Sequence, residues 1–281
     1  MALVDVRPRR ERHLSNPSVF SLRVSDVMTP DPECVSPDHT VAQALEIMTR
    51  RNCRHLPVLD QGRLVGIVSN RDLVGHSGPA PLRERATVTP VMIRPDARAE
   101  VAAGLMMRKR INSILVVRQG RLVGIVTSFD LLDSLAQQTR SSYMIRPGGV
   151  AARGLAEYMT PDPRTISGTT SAGEARKLMQ SCGIRHLPVV DAQGAVCGMI
   201  SSLDVASPLR DALDVSCVMS RRIERIHQAE SLDVAAAKMA VRKINSLLVF
   251  DGDRLVGILT THDLLKAFVD LLEDFRNSSL R

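Results

Sequence analysis

Aromatic residues are scarce in this chain of 281 residues: it has no tryptophan, and two tyrosines and five phenylalanines make up 2% of the sequence. Proteins that bind single-stranded nucleic acid without sequence preference use aromatic side chains as stacking platforms. The shortage argues against that class of protein. Because 44% of the residues are hydrophobic, the core is predicted to be aliphatic, built from valine, isoleucine, leucine, alanine and methionine.

Long apolar runs are absent as well. No stretch of the sequence stays apolar over the roughly 20 residues that cross a bilayer, and the first residues do not form a charged-then-apolar leader. We therefore expect a soluble, cytoplasmic protein without membrane contacts. Residues 1–21 are polar and contain several arginines without hydrophobic periodicity, which predicts a mobile basic arm.

Patterns typical of enzymes and metal sites do not occur. The sequence contains no G-x-x-x-x-G-K-[ST] phosphate loop and no G-x-S-x-G elbow. Its cysteines form no C-x-x-C pair and no cluster with histidine at zinc spacing. We expect neither catalysis nor a metal ion. The cysteines, interpreted as small buried or incidental thiols, are Cys34, Cys53, Cys182, Cys197 and Cys217.

Positive charge is in excess, with a formal net charge of +7. Part of it stands at the ends of predicted helices, where cations interact favourably with the helix dipole and could also line a phosphate pocket. Another part lies in the predicted arm, at Arg7, Arg9, Arg10 and Arg12. Non-specific phosphate contacts could use this charge. A nucleic-acid-binding protein is therefore an alternative.

One short pattern, G-h-h-[ST]-x-x-D with h apolar, occurs four times, at residues 66–72, 124–130, 198–204 and 257–263. Each copy ends a short apolar run and precedes an apolar, helix-like segment, so it is predicted to form the corner between a strand and a helix. We call these segments the corners. Their hydroxyl residues are Ser69, Thr127, Ser201 and Thr260, and their carboxylates are Asp72, Asp130, Asp204 and Asp263.

The chemistry of such a corner suits a phosphorylated sugar. The first N–H groups of a helix are unpaired and carry partial positive charge, which favours an anion. The hydroxyl can donate to a phosphate or ribose oxygen, the aspartate can accept from ribose hydroxyls, and the glycine lets a ligand approach the backbone. A helix-capping box, which needs no ligand, has nearly the same pattern. Four copies that keep aspartate, although Glu or Gln would cap equally well, favour binding, and the two roles are compatible.

The corners belong to an internal repeat. Asp72 and Asp204 lie 132 positions apart, and Asp130 and Asp263 lie 133 apart, which indicates that an asymmetric pair of repeats was duplicated. Each repeat is predicted to be β-α-β-β-α within an α+β fold, with its last helix opening at the corner. The predicted repeats are 22–80, 81–140, 154–210 and 211–281, the last with a C-terminal helix, and 141–153 is a predicted linker.

The first repeat carries the clearest local signals. Thr40 and Gln43 form a capping-box pattern that predicts a helix start. Residues 56–59 and 64–68 are predicted strands, joined by a hairpin turn of Asp-Gln-Gly at 60–62. The extended stretch before the first long helix of a repeat, which we call its leading segment, is shorter in the second repeat than in the others.

Four motifs follow one another along the first repeat: Val-Met-Thr-Pro from Val27, Arg-His-Leu-Pro-Val from Arg54, Leu-Val-Gly-Ile-Val from Leu64 and Ser-x-x-Asp-Leu from Ser69. In this order they resemble the motifs of the CBS-domain family. The resemblance covers nearly everything from 24 to 265. It implies that repeats pair through their sheets into two Bateman modules, at about 22–140 and 154–270. It also implies that AMP, ADP, ATP or a related adenosyl compound binds between paired repeats and regulates an effector protein.

The same resemblance assigns expected roles to individual residues. The corner aspartates would take ribose hydroxyls, and the corner hydroxyls would reach ribose or phosphate. Within two corners, Arg71 and His262 would add positive charge for phosphate. The leading segments around Val35 and Ile166 would contact the base. The residues before the second strand of the odd-numbered repeats would face the clefts, namely Arg54, His55, Arg185 and His186.

The even-numbered repeats depart from this scheme. They carry Asn112-Ser113 and Asn245-Ser246 in place of Arg-His, which predicts unequal sites. Three functions follow from the sequence: a ligand-sensing regulator, a nucleic-acid-binding protein, and an oligomerisation scaffold whose corners only cap helices. Whether the modules pack within one chain or across a homodimer is left open.

Overall fold

The computed structural model describes residues 22–74, 80–139 and 154–278. The predicted basic arm and linker, at 1–21 and 141–153, lie outside these ranges. The predicted α+β fold is confirmed. Within the described ranges, no helix has both the length and the apolar composition needed to cross a bilayer.

In each repeat, a long helix is followed by an antiparallel hairpin, and some repeats have a further helix after the hairpin. The long helices are α2 (Val41–Arg50), α4 (Ala99–Lys109), α6 (Ala172–Cys182) and α8 (Leu232–Arg242). The hairpin strands are β2 (His55–Asp60) and β3 (Arg63–Ser69), β5 (Ser113–Arg118) and β6 (Arg121–Thr127), β9 (His186–Val190) and β10 (Val196–Ser201), and β12 (Ser246–Asp251) and β13 (Arg254–Thr260).

The first repeat has the predicted helix start and hairpin turn. The Thr40 hydroxyl accepts from the Gln43 N–H at 3.3 Å, and the Gln43 side chain accepts from the Thr40 N–H at 2.8 Å, so the capping box at the start of α2 is confirmed. Between β2 and β3, Gln61 and Gly62 have φ of 46° and 78°. Two successive positive φ values are typical of a hairpin turn that follows the twist of its strands.

The leading segments join the repeats into pairs. In the first repeat, β1 (Thr29–Pro30) pairs antiparallel with β6 of the second repeat, and in the third, β7 (Thr160–Pro161) pairs with β13 of the fourth. The exchange is reciprocal, because Thr87 bridges Ile67 of the first repeat and Ser220 bridges Met199 of the third. Each leading segment therefore borders the partner's hairpin, and the two resulting pairs are the modules.

Later in the leading segments, short strands run parallel to the repeat's own hairpin. They are β4 (Met92–Ile93) beside β5, β8 (Ile166–Ser167) beside β9, and β11 (Arg225–His227) beside β12. The shorter leading segment of the second repeat thus still makes both contacts. Two single-turn helices, α1 (Val24–Val27) and α7 (Val215–Val218), precede the leading segments of the first and fourth repeats.

Among the described residues, the predicted closing helix forms fully only in the even-numbered repeats, as α5 (Ser128–Thr139) and α9 (Thr261–Ser278). For the odd-numbered repeats the prediction was wrong: α3 spans only Asn70–Leu73, and β10 is followed by turns and a 3₁₀ turn at Pro208–Arg210. Glycine and proline explain the difference, because Gly75, Gly78 and Pro79 follow α3 and Pro208 follows the third corner. Glycine is a poor helix former, and proline has no N–H to donate.

The two modules pack against each other within one chain. Helices α4 and α5 of the second repeat contact α8 and α9 of the fourth. Their apolar faces form one core, in which Met106, Leu132, Met239 and Phe268 are fully buried. The first and third repeats have separate, smaller cores. Since burying a side chain of this size contributes about 1.5–3 kcal/mol, the even-numbered repeats hold the modules together.

The corner glycines serve this packing. A Cβ atom on Gly66 would lie 2.9 Å from the backbone oxygen of Thr87, and one on Gly124 would meet Met28 and the backbone oxygen of Thr29. The close neighbour of the glycine is therefore the partner's leading segment, where the sequence predicted a ligand.

We predict that Gly66→Ala lowers the free energy of unfolding by about 1–3 kcal/mol, because the Thr87 backbone must move to admit a methyl group. Gly104→Ala is the matched control. It lies within α4, where the new Cβ would meet only the Arg108 side-chain end, and it should stabilise by about 1 kcal/mol. Urea unfolding measures both. Equal effects of the two substitutions would contradict the close-packing role.

Candidate functional site

All four corners have the same internal hydrogen bonds. In each, one carboxylate oxygen, Oδ2, accepts from both the backbone N–H and the hydroxyl of the corner Ser or Thr, with distances between 2.6 and 2.8 Å. The same bonds are therefore present at every corner, whether or not a helix follows it. They also direct the hydroxyl proton to the carboxylate, so in this arrangement the hydroxyl offers a ligand lone pairs and no donor.

The same bonds leave part of each carboxylate for other contacts. They use Oδ2 alone, so Oδ1 of Asp72, Asp204 and Asp263 takes no part in the cap. At Asp263, burial raises the pKa of the carboxyl, while the two bonds from Thr260 act in the opposite direction. A partly buried carboxylate oxygen of this kind is suited to accept a ligand hydroxyl.

The first module contains a cleft of about 770 Å³ between its repeats. Both corners line it, with Ser69, Asp72, Thr127 and Asp130. Each corner lies at the end of a strand bordered by the partner's leading segment: 87–91 beside the first corner and 29–33 beside the second. The cleft therefore has two similar halves, each built from both repeats.

The second module contains a cleft of about 920 Å³, but only one of its halves is complete. The corner residues Thr260 and Asp263 line it together with 160–164 of the third repeat's leading segment. From the other corner, Ser201 lines the cleft and Asp204 does not. On that side Ile223, from the fourth repeat's leading segment, packs into an apolar cluster between the sheets. The structure thus does not bring Asp204 to the cleft.

Arginines connect the two clefts where the modules meet. Arg71, Arg110 and Arg185 line both clefts, and Arg54 lines the first. Arg71 and Arg110 belong to the first module and Arg185 to the second, so each cleft receives cations from the opposite module. Across the described chain, none of these four arginines forms an ion pair with a carboxylate.

Backbone carbonyls hold two of these arginines across the module boundary. Arg54 donates to the carbonyl oxygen of Lys243, and Arg185 donates to that of Arg110 at 3.3 Å. The Arg54 guanidinium also lies over the Phe129 ring, 5.5 Å from its centroid, within the range of a cation–π contact. Burial lowers the pKa of both Arg54 and Arg185, which shows that these charges are partly removed from water.

The predicted histidines also lie at the clefts. His55 lines the first cleft, and His186 and His262 line the second. Burial, as the largest cause, lowers the pKa of His55 and of His186 to about 4, so both are neutral near pH 7. Burial, Arg185 and Arg110 lower the pKa of His262. Its Nε2 is buried and has no hydrogen-bond partner in the described chain.

Two predicted residues lie elsewhere. Val35 and Ile166 are 3% and 8% exposed and belong to the apolar cores of the first and third repeats. Neither lines a cleft, because the stretch of leading segment that reaches the cleft comes earlier in the chain and belongs to the neighbouring hairpin.

Sequence reasoning left two roles for Arg110 and Lys243, as partners of a helix dipole or as part of a phosphate pocket, and both residues line the first cleft. Both terminate long helices with a left-handed backbone, at φ of 53° and 51°, where the third repeat has Gly183. A cation at this position interacts favourably with the helix dipole, which is the first of these two roles. Each stands where glycine is typical of a helix end, and this substitution was the signal in the sequence that could have pointed to a site residue.

The comparisons with known proteins can now be stated. A family model described as CBS domain matches residues 24–78, 84–137, 155–211 and 215–270. This chain belongs to the CBS-domain family. Of the described residues, no group of His, Cys, Asp and Glu could hold a metal ion.

The similar proteins include two from Methanocaldococcus jannaschii. The uncharacterized protein MJ1404 is 26% identical over 270 residues, which cover 88% of this chain and 62% of that protein. MJ1225 is 23% identical over 274 residues, which cover 83% of this chain and 94% of that protein. The crystal structure of MJ1225, presented as a proposed archaeal homologue of γ-AMPK, has a TM-score of 0.72 at 21% identity and covers 88% of this chain and 100% of its own. This match supports the CBS fold.

A second similar structure is a single CBS pair. The pair of MJ0100 was solved with 5′-methylthioadenosine and S-adenosyl-L-methionine. It is 31% identical, covers 41% of this chain and 95% of its own, and has a TM-score of 0.39.

Stability is predicted to fall between about pH 6.5 and pH 4. A histidine whose folded pKa lies below its unfolded value of about 6.5 stabilises the fold fully above pH 6.5. As the pH falls, the unfolded state binds the proton first, and this contribution is lost by about pH 4. With pKa values of about 4, His55 and His186 each contribute on the order of 2–3 kcal/mol.

Urea unfolding at pH 7 and pH 5 measures this loss. Replacing both histidines, as His55→Asn with His186→Asn, should flatten the difference between the two pH values. His227→Asn, at a histidine whose side chain is 51% exposed, should leave it unchanged. An unaltered pH dependence in the double variant would show that other groups cause it.

Proposed function

We propose that this CBS protein is a non-catalytic regulator whose clefts bind an adenosine nucleotide or a related adenosyl compound. The observation that carries the proposal is the convergence, in each cleft, of corner carboxylates with arginines that form no ion pair with any described carboxylate. Asp72 and Asp130 line the first cleft and Asp263 lines the second. The cleft volumes lie within the range of small-molecule sites.

The corners supply the contacts for ribose. Oδ1 of an aspartate can accept from one ribose hydroxyl, and the corner hydroxyl oxygen can accept from the other, since its own proton is directed to Oδ2. This assignment fits a vicinal diol better than a phosphate. It therefore narrows the role expected for Thr127 and Thr260 to the ribose.

The phosphates would lie towards the module junction. Corner residues Ser128 and Thr261 begin α5 and α9, helices of twelve and eighteen residues, whose dipoles favour an anion near their N-termini. The four-residue α3 provides little dipole. The arginines at the junction add full positive charges, and bidentate pairing of guanidinium with phosphate is strong.

Regulation would follow from the junction. A ligand held by residues of both modules changes the balance between arrangements that bind it unequally. The partner that responds would be an effector protein, which recognises one arrangement. Since the chain spans 62% of MJ1404, the activity of that whole protein gives no further guide.

We predict that Asp263→Ala weakens binding to the second cleft at least about tenfold, because a hydrogen bond to a charged group contributes roughly 1.5–3 kcal/mol. Isothermal titration calorimetry with AMP, ADP, ATP and S-adenosylmethionine measures this. Asp204→Ala is the matched control: it removes the same two capping bonds from a corner whose carboxylate does not line the cleft.

The control should bind like the wild type. Equal losses in the two variants would mean that the aspartate acts only as a cap. Absence of binding by the wild-type protein to every adenosyl compound would reject the proposed function.

A further inference from the structure

The same three arginines, Arg71, Arg110 and Arg185, line both clefts. Asn112, which also lines both, has a buried Oδ1 without a hydrogen-bond partner in the described chain. The clefts are therefore connected at the module junction, and the positive charge there belongs to neither cleft alone.

Arg71 and Arg110 line the same clefts as Arg185 and lie close enough to it for their charges to repel its charge. Burial is the largest cause that lowers the pKa of Arg185, and the charges of Arg71 and Arg110 lower it further. Among the described residues, no carboxylate forms an ion pair with any of them. An anion at the junction would relieve this repulsion, and one anion would relieve most of it.

We infer that Arg71, Arg110 and Arg185 form a single phosphate site shared by the two clefts, so that a phosphorylated ligand in one cleft weakens the binding of a second in the other. The inference rests on the proposed function. The first phosphate, with a charge of about −1.5 to −2 at pH 7, offsets half or more of the three positive charges that would attract the second, and two phosphates at one junction repel each other. Couplings between protein sites commonly amount to roughly 5- to 150-fold in affinity.

The ligand class follows from the site. The coupling requires phosphate near the junction, so AMP should show it and adenosine, which lacks phosphate, should not. Inorganic tripolyphosphate, which has no nucleoside, should occupy the shared site alone, with one molecule bound per chain. It should compete with AMP in either cleft.

The test compares AMP titrations of the full chain with titrations of variants that retain one cleft. Asp263→Ala disables the second cleft, and Asp72→Ala with Asp130→Ala disables the first. Disabling the tighter cleft should strengthen AMP binding in the other by roughly 5- to 100-fold. If the clefts are independent, the AMP affinity of the remaining cleft will not change. That outcome would overturn the inference.

Three controls separate charge sharing from other effects. Asp204→Ala removes a carboxylate that does not line a cleft and should give no gain. Arg71→Gln should reduce the gain in AMP affinity of the remaining cleft. Arg108→Gln changes an arginine near the end of α4 that lines neither cleft, and it should preserve that gain. A gain of equal size with adenosine would also overturn the inference. Absence of AMP and adenosine binding in every protein would instead reject the proposed function.

Discussion

The close packing of each leading segment against its partner's hairpin is the constraint on which the rest of the structure depends. It requires a glycine three residues before the corner hydroxyl, since the neighbouring backbone leaves no room for a Cβ atom at Gly66. This contact positions the leading segment beside the partner's corner. Each complete cleft half is therefore built from two repeats, and neither repeat forms it alone.

The difference between odd- and even-numbered repeats sets the larger arrangement. In the part of the chain that the structure describes, only the even-numbered repeats have long closing helices, and these form the core between the modules together with α4 and α8. The closing helices give the corners at Thr127 and Thr260 the stronger dipoles. The odd-numbered repeats instead supply Arg54 and Arg185, which reach carbonyl oxygens of the opposite module. Duplication of an unlike pair thus placed the core between the modules in the even-numbered repeats, while both kinds of repeat supply positive charge at the junction.

Features encoded by neighbouring residues could be predicted from the sequence. The repeats, the hairpins, the capping box at Thr40 and the corner geometry depend on short-range patterns, and the clefts do contain Arg54 and Arg185. Features that depend on the partner repeat could not be predicted in this way. Val35 lies in the core of the first repeat, whereas residues 29–33, earlier in the same leading segment, reach the cleft beside the partner's hairpin. Asp204 does not line the second cleft, although Ser201 of the same corner does.

A crystal structure of the full chain with AMP would test most directly whether the clefts are nucleotide sites. The account predicts ribose hydroxyls at about 3 Å from Oδ1 of Asp263 or of a corner aspartate in the first cleft, with the phosphate directed towards Arg71, Arg110 and Arg185. AMP bound elsewhere, or AMP whose ribose contacts no corner carboxylate, would contradict it.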